Sequence, residues 1–194
     1  MLNPFYFDRT PLAGSLVVGK AICEDTDAFA RFCAREFSLE NYIAMLCICA
    51  FNRSPSLLRA QTFCEACLNG DSSPLEINIQ RALADSVARL VTVVSIYKPN
   101  SRGINVAGAL PQTALNSLKG PIIANLCDTY ERYKPYSKYQ DSRIGRLLYI
   151  PTEDRKELKK QTTNVQNVID GLKILERGGW PVRHMRLSNI VIGF

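Results

Sequence analysis

The sequence predicts an all-α protein, a helical bundle, on three observations. Apolar residues recur at i, i+3 and i+4 along most of the chain. Helix-start signals precede several of these stretches: Asp25-Thr26-Asp27, Ser38, Ser54-Pro55, Asn78 and Thr152-Glu153-Asp154. No two alternating segments are joined by a hairpin signal, so no paired strands are expected. At 194 residues and 46% hydrophobic content, with mean hydropathy −0.06, the chain is long enough for one well-buried core and an appendage.

Residues 1–13 read as an irregular N-terminal arm, and 14–22, apolar with two glycines, suit a short helix. Asp25-Thr26-Asp27 then supplies N-cap candidates for a helix whose Phe29, Phe32 and Cys33 share one face. Ser38 is placed to cap the next helix, about 39–51. Its stripe of Tyr42, Met45, Leu46 and Cys49 is broadened by Ile43, Cys47 and Ala50, which predicts deep burial. Ser54-Pro55 reads as a cap followed by proline at the first helical position, opening a helix that stops at Asn69-Gly70.

A polar loop over 69–77 leads to Asn78, read as the cap of a helix over 79–93. Ile79, Leu83, Val87 and Leu90 mark its inner side. Pro99, Asn100, Gly103, Gly108 and Pro111 argue for a long loop after Val94. The next helical stretch, about 112–133, contains Gly120-Pro121, expected to kink or divide it. Tyr133 to Tyr149 reads as a turn and a short helix. A long amphipathic helix over 153–177 has an acidic first turn and ends at Gly178-Gly179. The last residues, from His184, have strand-like content.

The domain organisation read from this pass is an arm (1–13), a helical domain (14–145) and a basic C-terminal extension (146–194). Residues 129–194 hold 13 of the 24 Lys and Arg but only 7 of the 18 Asp and Glu, so the whole net charge of +6 lies there. A solvated helical tail explains that bias, and attraction to an anionic membrane surface or an acidic partner is the functional alternative. The basic region lacks interleaved stacking aromatics, so no nucleic acid is expected as partner. No window nears the roughly 18–20 unbroken apolar residues of a membrane span. The first residues show no basic and apolar export signal. Seven cysteines, mostly on apolar stretches, suit a reducing compartment, with Cys23, Cys33, Cys47 and Cys127 as small core residues. A cytoplasmic protein, peripheral to the membrane at most, is the expectation.

Two polar corners at helix starts carry the functional signal. The first is Glu36-Phe37-Ser38-Leu39-Glu40-Asn41; the second is Leu75-Glu76-Ile77-Asn78-Ile79. A third segment, Asp128-Thr129-Tyr130-Glu131-Arg132-Tyr133, follows downstream. In type, order and separation these resemble the regulator-of-G-protein-signalling (RGS) family over roughly residues 14–145. The chain departs from the family pattern at Leu39, Met45, Gln80 and Ala124, in the loop after Val94, and at Pro121.

That resemblance implies an RGS-like bundle with a C-terminal helical extension. It implies a partner, an activated heterotrimeric G-protein α subunit, whose GTP hydrolysis is accelerated without chemistry of the chain's own and without a cofactor. The partner-binding residues it implies are Ser38, Glu40, Asn41, Glu76, Asn78, Asp128 and Arg132. Arg132 would orient Asp128 or reach a partner carboxylate, and a plain surface ion pair is the simpler alternative. For Asn78 the simpler role is an N-cap. A non-catalytic RGS-homology scaffold is the rival function.

Other chemistry fits less well. Cys64 and Cys67 form a CxxC pair with Cys47 and Cys49 upstream. On a helix, however, Cys47 and Cys49 lie about 200° apart and cannot readily face one metal. His184 is the sole histidine, and no Gly-x-Ser-x-Gly elbow, phosphate loop or dinucleotide fingerprint occurs. The last helix carries a stripe of Val165, Val168, Ile169, Leu172 and Leu175, which packs on the domain or docks elsewhere, with Trp180 as an interfacial anchor in the second case.

Overall fold

The fold was analysed in a computed structural model that describes residues 26–36, 38–97, 110–138 and 155–180. These residues are helical: α1 (Thr26–Arg35), α2 (Leu39–Arg53), α3 (Leu57–Cys67), α4 (Arg81–Tyr97), α5 (Lys119–Lys138) and α6 (Arg155–Arg177), with short 3₁₀ turns at Gly70–Ser72 and Asn116–Leu118. The all-α expectation holds for this part of the chain. The arm, the 14–22 helix, Cys23, the stretch 98–109, Tyr149 and the segment from His184 lie outside the described residues, as do the cap candidates Asp25 and Thr152-Glu153-Asp154.

The centre is α2. Its apolar residues run almost all round, so it buries Leu39, Tyr42, Ile43, Ala44, Met45, Leu46, Cys47, Ile48 and Phe51. It is packed by α1, α3 and α5, and α3 in turn carries α4 and α6. On the α1 side, Phe29 sits edge-on to Tyr42 and Tyr130, with Tyr133 5.2 Å from it between ring centroids. Such aromatic clusters hold elements in fixed orientation beyond their buried area.

Several boundaries differ from the sequence expectation, each for a local reason. The helix opened by Ser54-Pro55 starts two residues later. Ser56 is the cap, its hydroxyl accepting from the Arg59 N–H at 3.2 Å, whereas Ser54 closes α2 by donating its N–H to Ala50 and Phe51. Helix α4 runs to Tyr97, beyond both Val93 and Val94, and its buried side is Ala84, Val87 and Val91, while Leu90 is 40% exposed. Pro121 neither kinks nor divides a helix. It is the third residue of α5, inside the first turn, where a backbone N–H has no helical partner to lose. Residues 112–115 form turns instead, and α5 continues past Tyr133 to Lys138 without the expected turn.

The C-terminal helix joins the same core. Val168 and Leu175 of its stripe are buried and Leu172 packs against them; the Val165 side chain is outside the described residues. The helix ends as expected at Gly178-Gly179. Gly179 takes φ +72°, its N–H donates to Glu176, and the Trp180 N–H donates to Leu175. This left-handed ending needs glycine at its turn and brings the next residue back over the last helical turn. That next residue is Trp180. It is buried against Phe51 and Phe63, and its indole N–H donates to the Thr62 hydroxyl at 3.0 Å. Trp180 is therefore a core residue and not a membrane anchor. Among the described residues no helix is long and apolar enough to cross a membrane.

Candidate protein-docking face

The first corner is built by the tight link from α1 to α2. The Ser38 N–H donates to the Cys33 carbonyl at 2.9 Å, and the Ser38 hydroxyl donates to the same carbonyl at 3.3 Å. Ser38 was expected to cap α2 with its side chain. It occupies the N-cap position but makes no such bond, because its hydroxyl faces back into α1. The buried Leu39 anchors the turn, and Glu40 and Asn41 follow in the first turn of α2.

The second corner descends from α3. Leu75 and Ile77 are buried, and their N–H groups donate to the carbonyls of Ala66 and Cys67. In this extended stretch alternate residues face outwards, so Glu76 and Asn78 are exposed. A three-residue turn closed by the Ile79 N–H on the Ile77 carbonyl (3.0 Å) centres on Asn78. Asn78 does not cap α4. That position belongs to Gln80, whose carbonyl accepts from Leu83 and Ala84. The capping role proposed for Asn78 is thereby replaced by an exposed side chain at the tip of a turn.

The two corners meet on α5. The Asn125 side-chain N–H₂ donates to the Asn78 carbonyl at 2.7 Å and to the Asn41 side-chain oxygen at 3.3 Å. The Asn41 amide in turn donates to Glu40 Oε1 at 2.9 Å. One turn on, the Thr129 hydroxyl lies 3.2 Å from the Ser38 hydroxyl. Next on the same face, Arg132 is held between two carboxylates, Nε to Glu36 at 2.9 Å and Nη1 to Asp128 at 2.6 Å. Residues 125, 129 and 132 share one face at helical spacing. Six of the sequence-predicted positions, Ser38, Glu40, Asn41, Asn78, Asp128 and Arg132, are thus joined along this stretch of α5, and Glu76 stands two residues before Asn78.

They differ in availability. Glu76, Asn78, Asp128 and Arg132 are exposed and Glu40 is half-buried. Ser38 (7% exposed) and Asn41 (3%) are buried and bonded internally. Asn125 and Thr129 were missed because a polar residue within a helix ordinarily reads as solvent-facing. Their i, i+4, i+7 pattern with Arg132, on a helix whose Ile122, Leu126 and Tyr133 are buried, was the available signal.

The face is acidic. Glu40 and Glu76 stand at the two corners, and Glu36 and Asp128 share the guanidinium of Arg132. Burial pushes the Glu40 carboxyl up to about 7, against the lowering effect of its own N–H and of the Asn41 amide. Desolvation outweighs those hydrogen bonds even in the first turn of a helix, where an anion is ordinarily favoured.

No metal-ligating group of three or more His, Cys, Asp or Glu occurs among the described residues. Cys33, Cys47, Cys64 and Cys67 are buried, and desolvation raises each thiol, Cys33 and Cys64 to about 12. Cys127 is half-buried at the edge of the core, not within it. Comparison with known protein families, with curated proteins and with solved structures finds no match to the chain.

Proposed function

We propose that this face binds an activated heterotrimeric G-protein α subunit at the cytoplasmic side of the membrane and accelerates its GTP hydrolysis. The observation that carries the reading is the junction of two Glu/Asn corners through Asn125, with Asp128 and Arg132 beside them. Of the residues that carry the resemblance to RGS domains, Glu40, Glu76, Asn78, Asp128 and Arg132 reach solvent and support the reading, while Ser38 and Asn41 are buried.

The α subunit holds the nucleotide, magnesium, a water-orienting glutamine and an arginine, and turns over slowly alone, on the order of 10⁻² s⁻¹. A partner that binds its switch segments best in their transition-state arrangement lowers the barrier without adding a base or an acid. Each ~1.4 kcal/mol of such preference is worth about tenfold in rate. Asn78, exposed at the tip of its turn, offers both a donor and an acceptor to a switch residue or to the orienting glutamine. Glu40, Glu76 and Asp128 accept from hydroxyl, backbone N–H or lysine groups of the partner. Arg132, already bonded to Asp128 and Glu36, orients Asp128. Ser38 and Asn41 shape the first corner from within.

The burial of Ser38 and Asn41 favours a second reading, a non-catalytic RGS-homology scaffold that uses the same face without sensing the nucleotide state. Pull-down with α subunits loaded with GDP or with GDP–aluminium fluoride separates the two. Capture at least tenfold better in the fluoride state supports GTPase activation. Equal capture in both states supports the scaffold, and no capture in either refutes the partner assignment.

A further inference from the structure

The second corner has no helix of its own. Between the 3₁₀ turn ending at Ser72 and the start of α4 at Arg81, the chain is bonded to α3 through the Ser73 hydroxyl on the Glu65 carbonyl and through the Leu75 and Ile77 N–H groups, all before Asn78. Beyond Ile77 its one bond to the first corner's neighbourhood passes through Asn125, 47 residues away. Asn125 reaches that site because Leu126 and Ile122 bury the inner side of α5 and leave position 125 at the rim.

The polarity of the bonded chain is fixed by the Asn78 backbone carbonyl, which can only accept. The Asn41 oxygen faces Asn125, and the Asn41 amide nitrogen donates to Glu40 Oε1. The Asn78 carbonyl also accepts, so Asn125 must present nitrogen to both neighbours. An NH₂ group has two hydrogens, one for each acceptor. A carboxylate has none, and a hydroxyl has one.

We propose that Asn125 is a positioning residue: its NH₂ group spans the two corners and sets the distance between Asn41 and Asn78. It touches no partner in this account and acts through Asn78, so only its effect on hydrolysis depends on the proposed function. The position lies between the third segment and the departure at Ala124, outside every motif quoted for the family resemblance.

The test is Asn125→Asp, which keeps the shape of the side chain and removes both donors. Two readouts are needed. The first is amide hydrogen exchange of the free protein over residues 76–84. The second is single-turnover hydrolysis by a responsive α subunit. Thr62→Val, which removes a buried hydrogen bond to Trp180 and touches neither Asn125 nor its two acceptors, serves as the control for general destabilisation.

Asn125→Asp is expected to speed exchange at Ile79 and the first turn of α4 at least tenfold, leave the centre of α2 protected, and cut the stimulated rate at least tenfold. Thr62→Val should leave both the corner's exchange and the stimulated rate near wild type. Unchanged exchange at the corner overturns the proposal, whatever the rate does. A fall in rate matched by Thr62→Val at equal loss of stability also overturns it. If the wild-type chain stimulates no α subunit, faster corner exchange in Asn125→Asp still upholds the spacer and sinks only the partner assignment.

Discussion

Glu40 shows how a single side chain links folding to the proposed docking. Its carboxyl titrates near pH 7 in the folded chain and near 4.5 when unfolded, because burial disfavours the anion. The folded state therefore holds the proton more tightly between those values. The stability it contributes is fully present below about 4.5 and is lost as pH rises through about 7. Glu40→Gln is predicted to flatten that part of the stability–pH profile, measured by urea unfolding from pH 4.5 to 8. A profile with unchanged slope in the variant would contradict the assignment. For docking the sign is opposite, since an ionised Glu40 is the better acceptor for a partner's donors. Residue types at the corners were legible because Glu and Asn beside apolar anchors form a recognisable pattern. Their division of labour was not. Ser38 carries the composition of a cap yet bonds back to Cys33, and Asn78 looks like a cap yet stands two residues before the one that α4 uses. Caps are short-range signals, and neighbouring candidates such as Ser54 and Ser56 compete on equal terms until packing chooses between them.

At the scale of elements, the approach of α6 to the second corner has a clear cost structure. Gly171 faces Leu75, and a Cβ placed there would lie 2.3 Å from Leu75 Cγ and 2.5 Å from its Cδ1. Leu75 is 2% exposed and belongs to the stretch that carries Glu76 and Asn78, so it has little room to yield. Helix propensity alone would make Gly171→Ala stabilising by about 1 kcal/mol. Overpacking costs roughly 1–3 kcal/mol and is expected to win. Denaturant unfolding should therefore show a net loss, and a gain would contradict the close approach of the two segments. Helix α5 teaches a related lesson. Gly120-Pro121 signalled a kink or a break and produces neither, because the helix begins only at Lys119, after the 3₁₀ turn at Asn116–Leu118 that buries Leu118. Of the inner side read for α4, Val87 is buried and Ile79 and Leu83 pack against the core, while Leu90 is exposed and Ala84 and Val91 complete the buried face.

Taken whole, the molecule is a bundle in which α2 is wrapped by helices from both before and after it in sequence, and α6 closes the far side through α3. The all-α class of the described residues was legible from periodicity because that signal is summed over many residues. The path of the C-terminal residues was not, since Trp180 after a glycine pair reads equally well as a surface anchor. The left-handed turn at Gly179 settles it by folding the indole over Leu175 and into contact with Phe51 and Phe63. Trp180 is the only tryptophan in the chain, so its emission reports on this closure alone. Native protein is predicted to show blue-shifted emission poorly quenched by iodide, and emission like that of free tryptophan in water would contradict the buried position.

The junction at Asn125 makes a single surface from distant parts of the chain, and the proposed activity requires that surface to present Asn78. The most direct measurement is single-turnover GTP hydrolysis by a panel of α subunits, alone, with the wild-type chain and with Asn78→Ala. The account predicts stimulation by the wild type and loss of at least 90% of it in Asn78→Ala, with an unfolding free energy unchanged within about 0.5 kcal/mol, as befits an exposed side chain. Equal stimulation by the two proteins, or none by the wild type on any α subunit, would contradict it.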